Sequence, residues 1–253
     1  MQSIDRALDI LEALASRRSP TGISELAHQV DLHVSTVHRL LTTLVDRGYV
    51  RQDPETSRYH LAARIFSLSN AADMQLDLRL VAHPYLEMLM RKVGETANLV
   101  TAGPDHVIYL DQVESMHLVK MFTAPGMRAP LYCTGTGKAI LAFRSPQQQE
   151  AVLNGPLPRH TQHTLATRAD LERELGAIHA RGYAVDNEEM EEGVRCLAVP
   201  VFDRRNEVVG ALSVSGPTSR MTVERVEGFV PLVRSIAGQL SRQLGYETAE
   251  ALA

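Results

Sequence analysis

The chain has 253 residues, 44% hydrophobic and 22% charged, enough to bury two cores of moderate size in a soluble protein. No apolar run approaches eighteen residues, which excludes a membrane-spanning helix, and the opening MQSIDRALDILEAL lacks the basic start, apolar block and cleavage site of a signal peptide, so a cytoplasmic protein is expected. The net charge of −4 gives no whole-chain attraction to nucleic acid, and Cys133 and Cys196 are too few and wrongly spaced for a disulfide framework or a CxxC site.

Ser3 is a good N-cap, and Ile4, Ala7, Leu8, Leu11 and Leu14 then recur at helical spacing. A second helix is expected from about Gly22, burying Ile23, Leu26, Ala27 and Val30. After the break DLHV, Ser35 can cap a third helix with the stripe Val37, Leu40, Leu41 and Leu44, closed by Gly48. Two short helices joined by a tight turn form a helix-turn-helix. The opposite face of the third helix carries Ser35, Thr36, His38, Arg39 and Thr42, with no carboxylate before Asp46. YVRQ and SRYHL around Asp53-Pro54 read as a hairpin bearing Arg51 and Arg58, which makes a winged helix-turn-helix. Helical periodicity alone also fits a small core with a solvated face, and seven arginines against eight acids over residues 1–61 give no net basic charge.

Residues 62–75, with Ile65, Phe66, Leu68 and Ala72 at helical spacing, read as a linker helix. A longer helix is expected from Leu76 to about Val93, with Leu80, Val81, Leu86, Leu89 and Met90 on its apolar side. TANLVTA, HVIYLDQV and LVKMFT read as antiparallel strands, TGTGKAILAF as a glycine turn opening a helix, and RADLERELGAIHARG as an amphipathic helix. CLAVPVFD and EVVGALSVSGP are two strands joined at Arg204-Arg205-Asn206, and TVERVEGFVPLVRSIAGQLSRQLG closes the chain as a long helix. The expected fold is α+β: residues 1–61 bind DNA, 62–75 link, and 76–253 form a sensor-type domain with an antiparallel sheet and flanking helices.

Two stretches invite chemistry. CTGTGKAI resembles a phosphate loop, but Tyr132 stands where the first Gly belongs and Ala139 where Ser or Thr would hold magnesium. Close backbone approach at Gly135 and Gly137 survives, with helix N-terminal amides able to hold a carboxylate; an ordinary turn is the plainer alternative. GYAVDNEEMEEGVRC places five carboxylates between Asp186 and Glu192, yet its Gly is wrongly placed for a calcium loop and Met190 falls at a ligand position. No metal-ligand pattern accompanies it, and no histidine has a sequence link to Cys196 that would make it a nucleophile's base. Glu188 to Glu192 therefore read mostly as solvated surface, and no catalytic residue, cofactor or metal site is expected. A cysteine-dependent enzyme acting on a small acid and a ligand-free architectural DNA-binding protein stay open as rivals.

The segments SIDRALDILEAL, GISELAHQVDLHVSTVHRLLTTLVDRGYV, PLYCTGTGKAILA, GYAVDNEEMEEGVRCLAVPVFD and GALSVSGP, in this order and spacing, resemble the IclR family of bacterial transcription regulators over nearly the whole chain. The resemblance implies a winged helix-turn-helix, a linker helix and a GAF-like effector-binding domain, assembled as a homodimer or dimer of dimers on double-stranded operator DNA. It implies a small-molecule pocket lined here by Asp186, Cys196, the backbone of Gly135 and Thr136, Ser213 and Ser215, with Val194 as an apolar wall. Amides and hydroxyls suit a carboxylate, while Asp186 accepts from a ligand hydroxyl or donates when protonated. DNEEMEEGVRCLAVPVFDR, MRAPLYCTGTGK and QLGY look closest to regulators of 2-keto-3-deoxygluconate and related sugar-acid pathways. Relatives answering to glyoxylate, pyruvate or aromatic acids share the skeleton. Thr136, where some relatives have Ala, makes the loop larger and more polar.

Overall fold

A computed structural model describes residues 2–17, 19–65, 67–68 and 78–246. The chain divides into two compact units, Met1–Asp77 and Leu78–Ala253.

In the first unit α1 (Gln2–Ser16), α2 (Ile23–Gln29) and α3 (Val34–Asp46) precede the hairpin β1 (Val50–Gln52) and β2 (Tyr59–Leu61). Ser3 lies inside α1 instead of capping it. The α1 face that meets the core is Ile10, Ala13 and Leu14, packed on Leu26 of α2 and Val37, Leu41 and Leu44 of α3. Ile4 and Leu8, expected on that face, are 68% and 52% exposed; with Leu11 they line a groove that continues past Leu40, Tyr49 and Ile65. The helix thus carries two adjoining apolar faces, which a single periodic stripe cannot separate.

Ser35 is likewise not the cap of α3. His33 holds that place, its Nδ1 accepting from the Ser35 amide at 3.3 Å, because a ring lone pair serves as well as a hydroxyl oxygen. At the other end Gly48 adopts φ +75°, its amide donating to Val45 O and the Tyr49 amide to Leu44 O, the paired bonds of a Schellman motif. A Cβ at Gly48 would meet only Arg64 Cδ at 3.8 Å, so Gly48→Ala should lose about 1 to 2 kcal/mol of stability to the left-handed conformation alone, read as a lower denaturant midpoint.

The hairpin pairs Arg51 with His60, and Asp53 Oδ1 closes its turn by accepting from the Glu55 and Thr56 amides. Thr21 adds two backbone bonds to Tyr59, fixing the wing to the α1–α2 connection. Of the expected linker helix, residues 64, 65, 67 and 68 are helical; Phe66 and residues 69–75 lie outside the described residues.

The second unit opens with α4 (Leu78–Val93) and then β3 (Thr96–Ala102), β4 (His106–Val113) and β5 (Arg128–Pro130). It continues through α5 (Gly135–Leu141), α6 (Pro146–Leu153), α7 (Arg168–Arg181), β6 (Ala184–Asn187), β7 (Val194–Phe202), β8 (Val208–Pro217) and α8 (Val223–Gln243). The strands form one antiparallel sheet in the order β5-β4-β3-β8-β7-β6. Leu99, Leu197, Val199, Leu212 and Val214 point to one face, where α4 and α8 cover them; Ala198, Ala211 and Cys196 point to the other, under α5 and α7. Both faces being covered, β7 is buried from Arg195 through Val201, and its sequence shows a continuous apolar run where a one-sided sheet would alternate.

Two expectations fail here. Leu80 is 68% exposed: the covered face of α4 is Leu78, Ala82, Leu86, Leu89 and Val93, a stripe rotated away from it. LVKMFT is not a strand. The edge of β4 pairs instead with Arg128–Pro130, and the Tyr109 amide donates to Met127 O, so residues 118–123 have no ladder to join and cross over the sheet face as an open segment. Leu118 is fully exposed within it.

Candidate functional site

Antiparallel register assembles the site. Asp186 on β6 stands opposite Cys196 on β7, Cys196 opposite Ser215 on β8, and Ser215 opposite Thr96 on β3. Two residues along, Ala198, Ser213 and Asn98 form a second row on the same face. Side chains two apart share a face, so the rows together carry one carboxyl, one thiol, three hydroxyls and one amide. The small alanine among them leaves space, and a cavity of about 150 Å³ opens there.

The roof is the start of α5. Thr134 caps it, its Oγ1 accepting from the Gly137 amide at 3.1 Å. A Cβ on Gly137 would fall 2.4 Å from Leu131 O, so only glycine lets the turn close onto Leu131. Gly135 lies against the sheet, where a Cβ would be 3.1 Å from Cys196 Sγ and 3.4 Å from the Asp186 amide. Its amide and that of Thr136, the first two of the helix, have no intrahelical acceptor and are at hand for an anion in the cavity. All seven pocket residues expected from the sequence, Gly135, Thr136, Asp186, Val194, Cys196, Ser213 and Ser215, line this one cavity.

Asp186 is 5% exposed and its Oδ1 accepts from the Glu189 amide at 2.8 Å. Burial, reinforced by the Glu189 carboxylate, pushes its carboxyl up to about 7. At neutral pH it is thus poised between donor and acceptor. Burial also pushes the Cys196 and Cys133 thiols up to about 12, so both stay protonated and neither is an activated nucleophile.

The acidic stretch is not uniformly solvated. Glu191 and Glu192 are exposed, but Glu188 takes φ +63° and turns Glu189 inward, where it is 5% exposed and ion-paired with Lys138. Lys138, the lysine of the phosphate-loop look-alike, is 1% exposed and also donates to Val185 O at 2.8 Å. Thr161 and Thr164 hydroxyls donate to the carbonyls of Glu188 and Glu189, at 2.6 and 2.7 Å. The segment is a pinned wall that sets Met190 and Glu191 against the cavity.

Sequence reasoning missed Asn98, Tyr109 and the side chains that residues 121–128 bring to the cavity, among them Phe122, Thr123 and Met127. Asn98 had a signal: a lone amide within TANLVTA. The 121–128 group had none, since its place follows from a strand pairing that did not form. Among the described residues no group of three or more His, Cys, Asp or Glu side chains could hold a metal ion.

On the first unit Ser35, His38, Arg39 and Thr42 are exposed on α3 and Thr36 is half-buried. The Thr42 hydroxyl donates to His38 O, which leaves its oxygen lone pairs and methyl outward. Arg51 is exposed on the wing. Arg58 is exposed but tethered: its guanidinium donates to Pro20 O at 3.0 Å and pairs with Glu25 at 3.2 Å, so it braces the wing on α2.

Residues 71–242 match the model of the bacterial transcriptional regulator IclR C-terminal domain, and residues 3–54 match the IclR helix-turn-helix domain. The chain belongs to the IclR family. This IclR-family regulator is 37% identical over 247 residues to the HTH-type transcriptional regulator KdgR of Escherichia coli, covering 97% of this chain and 94% of that one. It is 40% identical over 242 residues to the HTH-type transcriptional regulator BhcR of Paracoccus denitrificans, covering 95% and 86%. An IclR homologue from Microbacterium hydrocarbonoxydans, solved in complex with 4-hydroxybenzoate, superposes with a TM-score of 0.82 at 26% identity over 96% of this chain and 98% of that one. The IclR-family chain is a DNA-binding transcriptional regulator with an effector-binding C-terminal domain, and its family and relatives are regulators, not enzymes. No helix among the described residues is long and apolar enough to cross a membrane.

Proposed function

We propose that this protein is a repressor whose hold on an operator is set by a small organic acid bound at Gly135, Thr136, Asp186, Val194, Cys196, Ser213 and Ser215, of the sugar-acid class typified by 2-keto-3-deoxygluconate. The observation that carries this reading is the convergence of two helix-start amides, two serine hydroxyls and an easily protonated carboxyl on one cavity. At about 150 Å³ it lies below the roughly 300–1,000 Å³ of drug-sized ligand pockets, which suits a short acid. The likeness to KdgR supports the sugar-acid class. The 4-hydroxybenzoate complex of the Microbacterium homologue, with Tyr109, Phe122 and Met127 lining this cavity, supports an aromatic acid as the second reading.

The reading gives α3 to the major groove, with Ser35, Thr36, His38, Arg39 and Thr42 toward base edges and Arg51 toward phosphate. Arg58 enters as the brace that fixes the wing. The apolar groove beside exposed Ile4 and Leu8 favours a homodimer, or a pair of dimers, on paired half-sites. The acid acts by binding the DNA-competent and DNA-incompetent states unequally, with a coupling of about 1 to 3 kcal/mol.

The test is fluorescence anisotropy at fixed salt on DNA from upstream of the protein's own gene, with scrambled DNA as control. Titrations include 2-keto-3-deoxygluconate, glyoxylate, pyruvate and 4-hydroxybenzoate. Release from specific DNA by one of these acids is expected, and specific binding that none of them changes would sink the reading. Arg39→Ala should weaken specific binding by about 1 to 3 kcal/mol and relax sequence preference. A loss uniform across sequences would reassign Arg39 to phosphate.

A further inference from the structure

Behind the two serines lies an amide whose orientation decides what they offer a ligand. Asn98, 1% exposed on β3, has Nδ2 at 3.1 Å from Ser215 Oγ and 3.4 Å from Ser213 Oγ, while its Oδ1 accepts from Thr123 Oγ1 at 2.8 Å. An amide nitrogen has protons and no lone pair to offer, so both serine oxygens facing it accept. A hydroxyl has two lone pairs and one proton. With one lone pair of Ser213 taken by Asn98, its proton can turn to the cavity. Ser215, accepting from Asn98, is left able to donate as well. The Gly135 and Thr136 amides add donors of the same sense.

We propose that Asn98 is a specificity-determining positioning residue: by donating to Ser213 and Ser215 it turns both hydroxyls into donors toward the cavity, so the site takes a carboxylate and rejects the matching neutral amide. This rests on the reading of the cavity as an acid site. Thr123 Oγ1, with one proton, lies between Asn98 Oδ1 at 2.8 Å and Gln112 Oε1 at 2.5 Å, and in this arrangement that proton goes to Asn98. The opposite polarity has Thr123 donating to Gln112 Oε1, 2.5 Å away, and Asn98 turned over; the serine lone pairs would then face the cavity and the ligand's amide would win.

Calorimetric titration of the full chain with 4-hydroxybenzoate against 4-hydroxybenzamide, and pyruvate against pyruvamide, reads the polarity directly. The wild type should prefer an acid over its amide by about 100-fold, the scale of losing two charge-assisted hydrogen bonds. Asn98→Asp, nearly the same shape, accepts from both serines and should bring that ratio to one or below. Thr123→Val, in the open segment between β4 and β5, frees the amide to turn and should cut the ratio about tenfold. It stands as the test if Asn98→Asp does not fold, as judged by circular dichroism. An unchanged ratio in whichever variants fold would overturn the proposal, as would a wild type that prefers the amide, which still leaves the cavity a ligand site. No binding of either acid, with 2-keto-3-deoxygluconate also inert, would instead remove the acid-site reading and this proposal with it.

Discussion

Acid binding is expected to weaken about tenfold for each pH unit above about 7 and to be flat between about pH 5 and 7. A ligand carboxylate is ionised throughout that range. Asp186 is not: burial holds its carboxyl at about 7, so below this it is neutral and Oδ2 can donate to the ligand, while Oδ1 is occupied by the Glu189 amide. Above about 7 the bound state must keep a proton that the free protein has lost, and each further unit subtracts one decade from the affinity. The sign is fixed, since the raised group binds ligand in its protonated form. Asp186→Asn keeps a neutral donor at the position and should abolish the pH dependence above 7, with acid binding and DNA binding retained. Calorimetry from pH 5.5 to 9 with the acid that releases DNA decides it. Affinity that rises with pH, or the same slope in Asp186→Asn, would place the titrating group elsewhere.

Lys138→Met is expected to cost about 3 to 5 kcal/mol of stability, which in a unit of this size lowers the melting temperature by about 10 °C. Lys138 is 1% exposed and Glu189 5%; Glu189 Oε2 already has no hydrogen-bond partner, and Oε1 has the lysine. Removing the cation leaves a buried carboxylate with nothing to offset its desolvation. Burial already holds the Glu189 carboxyl above its usual range, and losing Lys138 raises it further. The native variant then binds a proton that the unfolded chain has given up. Its deficit is therefore largest above neutral pH and shrinks as pH falls through the raised value. Adding Glu189→Gln should recover most of the loss. A deficit under about 1 kcal/mol, or one indifferent to pH, would show that the pair carries little. Because Glu189 sets Met190 and Glu191 against the cavity, the single variant should also bind acid less tightly.

Where local chemistry is decisive, the sequence was enough. The stripe Val37, Leu41, Leu44 and the αL glycine Gly48 determine α3 and its end, because spacing and a missing Cβ act within a few residues. TANLVTA and HVIYLDQV coincide with β3 and β4 for the same reason. The resemblance over the glycine loop, GYAVDNEEMEEGVRC and GALSVSGP named seven residues that the fold brings to one cavity. Other features were outside its reach. Whether residues 118–123 form a strand depended on which segment took the edge of β4, a competition between Arg128–Pro130 and LVKMFT that neither pattern reveals. Glu189 and Lys138 are 51 residues apart, and charge patterning placed the one on the surface and gave the other no partner. His33 displaced Ser35 as the α3 cap because the helix begins two residues earlier than Ser35 would start it, and only the backbone path decides where the first turn closes. Asn98 gained its role from Ser213 and Ser215, more than a hundred residues away, through the antiparallel register of β3 and β8. Periodicity and turn chemistry are local and can be read along the chain, whereas burial of charge and the direction of a hydrogen bond belong to pairs of residues that only the tertiary fold brings into contact.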